Sequence, residues 1–379
     1  MQSIYFTPEH ETFRDQVRRF VEEEVRPNAD AWEDAGAVPR EVFAKMGELG
    51  FFGTRYPEEY GGADWDTFST VVLAEEIGRS GLGGFSADVL VHAEMSSPHL
   101  ARYGSPEQKA KYLPGIIKGE TVTAIGVTEP GGGSDVAALS TRAEKRGNGW
   151  VLNGAKVFIT NGVLADVFFI AARTDPDAKP SRGISMFIVE KDAVGFSKRQ
   201  LDKMGWRCSD TAELTFDNVE LTGDALLGQE GRGFYQIMDN FQNERLTMGA
   251  MVTGEAERAL EITVEQVKTR KTFGTPLWEK QVVRHALADC ATRIEGVKRM
   301  VHHAAWLDDQ GIDCVREVSM IKVEAARMVQ HVIDTCLQYW GGSGYMRGME
   351  IERMYRDARV QSIGGGATEV MLEEVAKRL

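Results

Sequence analysis

The feature that most restricts the fold is a set of three long amphipathic stretches in the last third of the chain, residues 234–269, 279–310 and 314–340. None contains proline, and each outruns the three or four turns of an average helix. Helices of this length bury their apolar faces mainly against one another, so they predict an antiparallel bundle that also supplies an oligomer interface. The first third reads helical as well. Thr7-Pro8 offers an N-cap and first-turn proline, Phe13, Val17, Phe20 and Val21 recur at helical spacing, and Arg26-Pro27 is expected to end the run. Ser105-Pro106-Glu107-Gln108 predicts a capping box ahead of Tyr112 and Leu113.

Between the helical parts the period changes. Residues 121–128, 149–160, 167–173, 184–190 and 212–221 are rich in β-branched and aromatic side chains and are separated by Gly, Asn, Asp and Pro. Asn148-Gly149 and Asn153-Gly154 are turn signals, so this part is expected to be a small antiparallel β domain. At 379 residues the chain is too long for one simple core. The reading is an α+β protein, mostly α: a helical domain over 1–120, a β domain over 121–230 and a helical bundle over 231–379.

A net charge of −13 argues against a duplex nucleic-acid binder, which needs clustered cations to neutralise phosphates. No apolar run approaches the length of a membrane span, and the first residues lack the basic and apolar regions of a secretory signal. A bacterial cytoplasm is the expected compartment, or the mitochondrial matrix in a eukaryote. Cys208, Cys290, Cys314 and Cys336 show no paired spacing, which suits free buried thiols rather than a metal site or disulfides.

Glycines 131 to 133 followed by Ser134 let a loop approach a ligand closely and offer backbone N–H groups and a hydroxyl. Alone such a turn means little. Here it lies within Val127-Thr128-Glu129-Pro130-Gly131-Gly132-Gly133-Ser134-Asp135, and the chain also holds Gln242-Asn243-Glu244-Arg245-Leu246 and Ile363-Gly364-Gly365-Gly366-Ala367-Thr368-Glu369. Together these segments resemble the acyl-CoA dehydrogenase family, and the α, β, α order over the whole chain agrees with that fold. The resemblance implies bound FAD and a carboxylate that removes the α-proton of an acyl-CoA thioester. Most of the family carries this base where the chain has Gly365; the long-chain and isovaleryl-type members carry it on a helix, at the position of Glu244.

Further site residues follow from the same resemblance. Ile125, Val127, Thr128, Gly133 and Ser134 would meet the flavin, with Ser134 also near the acyl-CoA. Phe158, Ile159 and Thr160 match the segment that packs an aromatic ring and a hydroxyl on the isoalloxazine, although many relatives have Trp at the first of these positions. Arg270, Thr272, Phe273 and Gln281 match a segment that reaches the FAD of a neighbouring subunit, where a guanidinium suits a pyrophosphate. Gln338, Gly341 and Gly342 would lie along the diphosphate, and Ala367, Thr368 and Glu369 near the flavin and adenine. Ala367 stands where relatives commonly have Thr. Backbone N–H groups around Gly365 and Gly366 would hold the thioester carbonyl, the expected device for developing negative charge. Arg245 reads as a contact near CoA or as a structural ion pair, and Tyr235 as lining of the acyl channel or as core.

The implied reaction is α,β-dehydrogenation of a fatty or branched acyl-CoA to trans-2-enoyl-CoA, with electrons passed to an electron-transfer flavoprotein, by a homotetramer. Residues 91–100, 156–162 and 357–361 are similar to long-chain members, which favours a medium to long or methyl-branched acyl group. The alternatives are a catalytically silent flavoprotein subunit, or a same-fold nitroalkane oxidase or acyl-CoA desulfinase. Glu244 argues against both enzymes, since the first is expected to carry Asp near 365 and the second no base at either place.

Overall fold

The computed structural model describes residues 4–379; residues 1–3, the start of the expected first domain, lie outside the described residues. The N-terminal part consists of α1 (Pro8–Phe20), α2 (Ala29–Ala35), α3 (Arg40–Glu48), α4 (Thr67–Gly78), α5 (Gly83–Leu90), α6 (Ser97–Tyr103) and α7 (Pro106–Ile117). Thr7 caps α1 through a capping box closed by the His10 ring, and Phe13, Val17 and Phe20 face inward. Ser105 and Gln108 close the second capping box as expected.

Arg26-Pro27 does not end the first helical run. A π-helical turn over Val21–Val25 and a 3-10 turn over Arg26–Asn28 carry the chain into α2. The wide turn changes the hydrogen-bond register ahead of Pro27, whose missing N–H then falls in the first positions of a new segment, where no partner is needed.

The middle part is one sheet of β1 (Thr123–Gly126), β2 (Arg142–Arg146), β3 (Gly149–Ile159), β4 (Val167–Arg173), β5 (Ile184–Glu190), β6 (Phe196–Gln200), β7 (Ala212–Leu221) and β8 (Leu226–Leu227). Its order is β6-β7-β3-β2-β4-β5-β8, with β1 beside β4. The sheet is not purely antiparallel: β1 runs parallel to β4, pairing Thr123 with Val167 and Gly126 with Ile170. Side-chain alternation reports which residues face the core, not the direction of the neighbouring strand. Two turn signals also shift. The β2–β3 turn is Gly147-Asn148, one residue earlier than expected, and Asn153-Gly154 lies inside β3 at a break in its pairing with β7.

The last part contains α8 (Gly233–Thr269), a short β9 (Lys271–Thr272) and β10 (Thr275–Pro276) hairpin, α9 (Gln281–Asp309), α10 (Val315–Trp340), α11 (Glu350–Ala358) and α12 (Thr368–Ala376). Helix α8 is central. Every residue from 243 to 256 is buried, because α8 packs against α4 as well as against α9 and α10. The α4 contact is backbone to backbone: a Cβ on Gly254 would lie 1.9 Å from the Glu75 carbonyl oxygen, and one on Gly78 2.0 Å from that of Met251. Asp357 on α11 ties the parts together by accepting from the amides of Gly83 and Trp206 at 3.0 and 2.6 Å.

Candidate active site

Burial of the middle of α8 decides the state of Glu244. A Glu-Arg pair on a helix is ordinarily solvated, yet the Glu244 side chain is 8% exposed and makes no ion pair among the described residues. Its carboxylate accepts from Asn240 Nδ2 at 3.0 Å, one turn earlier on the same helix. Burial pushes the Glu244 carboxyl up to about 7, against smaller opposing effects of Asn240 and Arg245. Asn240 is itself fixed, since the same amide lies 3.0 Å from the Met95 and 3.3 Å from the Glu94 carbonyl oxygens. Asn243 adds bonds to the carbonyl and carboxylate of Glu94 at 2.9 and 3.0 Å, so α8 is pinned to the π turn Val91–Ser96.

The glycine turn meets α8 on the face that carries Glu244. Gly365 has φ +65°, and a Cβ there would lie 2.4 Å from Met248 Sδ. Met248 follows Glu244 by four residues, one turn along the same face. A side chain at 365 would be strained by the left-handed backbone and would have to displace Met248, and Glu244, one turn before Met248, is the carboxyl that the helix offers on this face. Gly366 (φ +107°) packs on Met371, Ala367 precedes α12, Thr368 Oγ1 donates to the Ser362 carbonyl at 3.5 Å, and Glu369 is exposed. Arg245 is buried with its guanidinium 5.2 Å from the Phe241 ring centroid, and its Nε has no partner. Tyr235 is neither buried nor in the core: it is 37% exposed and stacks under Arg232, 4.4 Å from the guanidinium.

Residues 127–135 are held from below by a group that sequence reading did not single out. Glu129 accepts from Ser140 N and Oγ, both 2.6 Å, from Thr141 N at 2.9 Å and from the buried Lys156 Nζ at 2.8 Å. Burial pushes the Glu129 carboxyl up, but Lys156 and these donors outweigh it and hold it at about 2. With its root fixed, the loop leaves Gly133 and Ser134 exposed and Ile125, Val127 and Thr128 half-buried. Val157 N donates to the Thr128 carbonyl at 3.0 Å, joining this loop to the end of β3. There Phe158 has φ +62° and is 69% exposed, beside half-buried Thr160 and buried Ile159. A large aromatic residue held in a left-handed conformation and turned outward marks a site where another group is expected to cover it.

A further cluster joins the far ends of α8 and α10. Arg270 donates to the Trp340 carbonyl, and a Cβ on Gly341 would come 2.9 Å from its Nη1. Thr272 is in β9, and Phe273 (φ +53°) at the hairpin tip is fully exposed. Gln281, Gln338 and Gly342 are exposed nearby in the chain. At 1.5 Å per residue, Arg270 lies about 39 Å along α8 from Glu244. One chain therefore presents two separate groups, the Glu244 and Gly365 region with the β-domain loops, and the hairpin with the end of α10.

These residues fit FAD. An uncovered, strained aromatic, the hydroxyls of Thr128, Ser134 and Thr160, a glycine-faced loop and a guanidinium against a side-chain-free residue match an aromatic ring system carrying a diphosphate.

Sequence profiles of the acyl-CoA dehydrogenase N-terminal, middle and C-terminal domains match residues 7–120, 124–219 and 231–379. The chain is 41% identical to the long-chain specific acyl-CoA dehydrogenase of Mus musculus mitochondria, over 99% of this chain and 87% of that protein. It is 38% identical to an acyl-CoA dehydrogenase of Bacillus subtilis over 99% of each. Among solved structures it is similar to an acyl-CoA dehydrogenase from Geobacillus kaustophilus, with TM-score 0.95 and 41% identity over 100% of this chain and 99% of that one.

Proposed function

The chain belongs to the acyl-CoA dehydrogenase family of FAD enzymes, and from that premise we propose that Glu244 is its catalytic base and a fatty or branched acyl-CoA its substrate. The observation that carries this is the buried Glu244 carboxyl, raised to about 7, on the helix face that meets Gly365. A base near neutrality combines a useful ionised fraction with real proton affinity. Glu244 takes the α-proton, while the N–H groups about Gly365 and Gly366 hold the thioester oxygen as charge develops on it. Bound FAD supplies the hydride acceptor for the β-carbon. The Gly133 and Ser134 loop and the Phe158 to Thr160 segment keep the cofactor in place and exclude water. The product is trans-2-enoyl-CoA.

Arg245 serves as a contact near CoA, and Tyr235, exposed at the start of α8, lines the entrance rather than the depth of the acyl channel. The fully exposed Phe273, on the hairpin that follows Arg270 about 39 Å along α8 from Glu244, supports a homotetramer in which Arg270, Thr272, Phe273 and Gln281 serve a neighbour's FAD. Electrons then leave to an electron-transfer flavoprotein. No described helix is long and apolar enough to cross a membrane. A bacterial cytoplasm, or the mitochondrial matrix in a eukaryote, is the compartment that goes with this reading.

The test is anaerobic titration of the purified protein with straight and branched acyl-CoAs of increasing length, following flavin absorbance. Bleaching by medium to long or methyl-branched chains is expected. Failure of every acyl-CoA to bleach the flavin, or rapid bleaching of Glu244→Gln, overturns the assignment.

A further inference from the structure

We propose that Lys322 is a positioning residue for the substrate carbonyl: from α10 it holds the glycine turn in place and sets a cation beneath the amides that receive the thioester oxygen. The proposal rests on the reading of Glu244 and Gly365 given above.

Lys322 is 3% exposed, and its ammonium donates to the carbonyl of Gln361, the buried residue that leads into the turn. Its Cε lies 3.5 Å from where a Cβ on Gly365 would stand. The side-chain position of Gly365 is thus flanked by Met248 of α8 and Lys322 of α10, and the lysine is the only one of the two with a charge. No carboxylate comes within ion-pair distance of Lys322 among the described residues. The charged group that acts on it most is Arg245, another buried cation, whose Nε lacks a partner. Arg245 in turn faces the Glu244 carboxylate first, and then Glu374 and Arg378 on α12, which bond to each other.

A buried lysine with no carboxylate within ion-pair distance is expensive to keep, since its desolvation is a matter of several kcal/mol. The arrangement makes sense where negative charge arises during the reaction. As the α-proton leaves for Glu244, charge moves onto the thioester oxygen, at the amides that Lys322 underlies. Burial, with Arg245 nearby, pushes the Lys322 ammonium down to about 8, so below that pH it stands there as a cation that favours the enolate over the neutral thioester without having to reorganise. The hydrogen bond to Gln361 does a second job: it holds the turn so that its left-handed glycines keep their amides aimed at one point.

An acyl-CoA analogue with sulfur in place of the β-carbon tests this, because its α-carbon ionises but no β-hydride can leave. Its enolate stacked on oxidised flavin absorbs at long wavelength, so a pH titration of that band gives the ionisation midpoint of the bound analogue. In Lys322→Met, which loses both the charge and the bond to Gln361, the midpoint is expected to rise by about one unit or more, at least a tenfold loss of enolate stabilisation. In Lys322→Gln, which keeps a donor for Gln361 but no charge, it rises as well. A purely structural lysine would loosen the fold and leave the midpoint alone. Midpoints of both variants within about 0.3 unit of wild type overturn the proposal. Absence of the band in wild type sinks the reading of the site itself instead.

Discussion

Removing the amide of Asn240 tests the source of the basicity of Glu244. That amide is the sole side-chain donor to the Glu244 carboxylate among the described residues, at 3.0 Å. A hydrogen bond to a charged group contributes about 1.5–3 kcal/mol, and each pKa unit corresponds to about 1.36 kcal/mol. Asn240→Leu therefore raises the carboxyl by about one to two units above its value of about 7. The base works only when ionised, so the ascending limb of kcat/KM against pH moves to higher pH by that amount. At pH 7 the ionised fraction falls from about one half to about one tenth or less, a loss of about fivefold or more that vanishes near pH 10. Anaerobic reduction rates from pH 6 to 10 read this directly. Asn243→Leu is the control, since it breaks comparable contacts to Glu94 without touching the Glu244 carboxylate. A limb that stays in place in Asn240→Leu, or moves equally in the control, refutes the reasoning.

Glu244→Gln should keep its FAD and lose about 10²–10⁴-fold in reduction rate, as expected for loss of a general base. It should also gain stability with a definite pH dependence. The folded-state value of about 7 exceeds the ordinary 4.5, so the cost of the buried carboxylate is absent below pH 4.5 and complete above pH 7, at about 3 kcal/mol. The melting temperature of the variant should exceed wild type at pH 8 and converge on it near pH 4.5; equal differences at both would contradict the burial account. Gly365→Ala adds about 1–2 kcal/mol of left-handed strain and about 1–3 kcal/mol of overpacking against Met248. Met248→Ala should recover the second part, seen as coupling in a double-mutant cycle on unfolding. Lys156→Met leaves Glu129 buried without its cation, a loss of about 3–5 kcal/mol at the root of the loop. FAD should be lost on gel filtration, and adding Glu129→Gln should restore it.

Much of the architecture was legible because burial imposes a period. Strands β4, β5 and β7 begin and end where their β-branched and aromatic runs do, and the three long helices differ from expectation by a residue or two at their ends. Strands β2 and β6 escaped because Arg142–Arg146 and Phe196–Gln200 are charged and largely exposed, each sending mainly one apolar residue, Ala143 or Phe196, toward the core, so their membership of the sheet rests largely on backbone pairing. The site divides in the same way. Glu244 was found through a motif shared with a family, since a Glu-Arg pair on a helix carries no sign of burial. Asn240 stood within reach of helical spacing, four residues before the base. Glu129 with Lys156, and Lys322 with Gln361, join residues 27 and 39 positions apart, and only the fold makes neighbours of them.

Placing the base on α8 rather than on the glycine turn changes what holds it. A carboxylate at 365 would depend on a turn whose own conformation is left-handed and whose neighbour Ile363 is 58% exposed. Glu244 depends instead on a stretch of helix buried throughout from 243 to 256, on a partner within that helix, and on carbonyls of the π turn that hold the partner. Its position is therefore tied to the core, and so is its affinity for protons, because the burial that fixes the side chain also raises its pKa. The turn, freed of a side chain, is left to present amides, and the contact of Gly365 with Met248 keeps these in register with the base. A change that frees Asn240 from the carbonyls of Met95 and Glu94 should then shift the pH dependence, whereas one that loosens the glycine turn from α10 should weaken enolate stabilisation without moving the acid limb. The two functions separate because two different elements carry them.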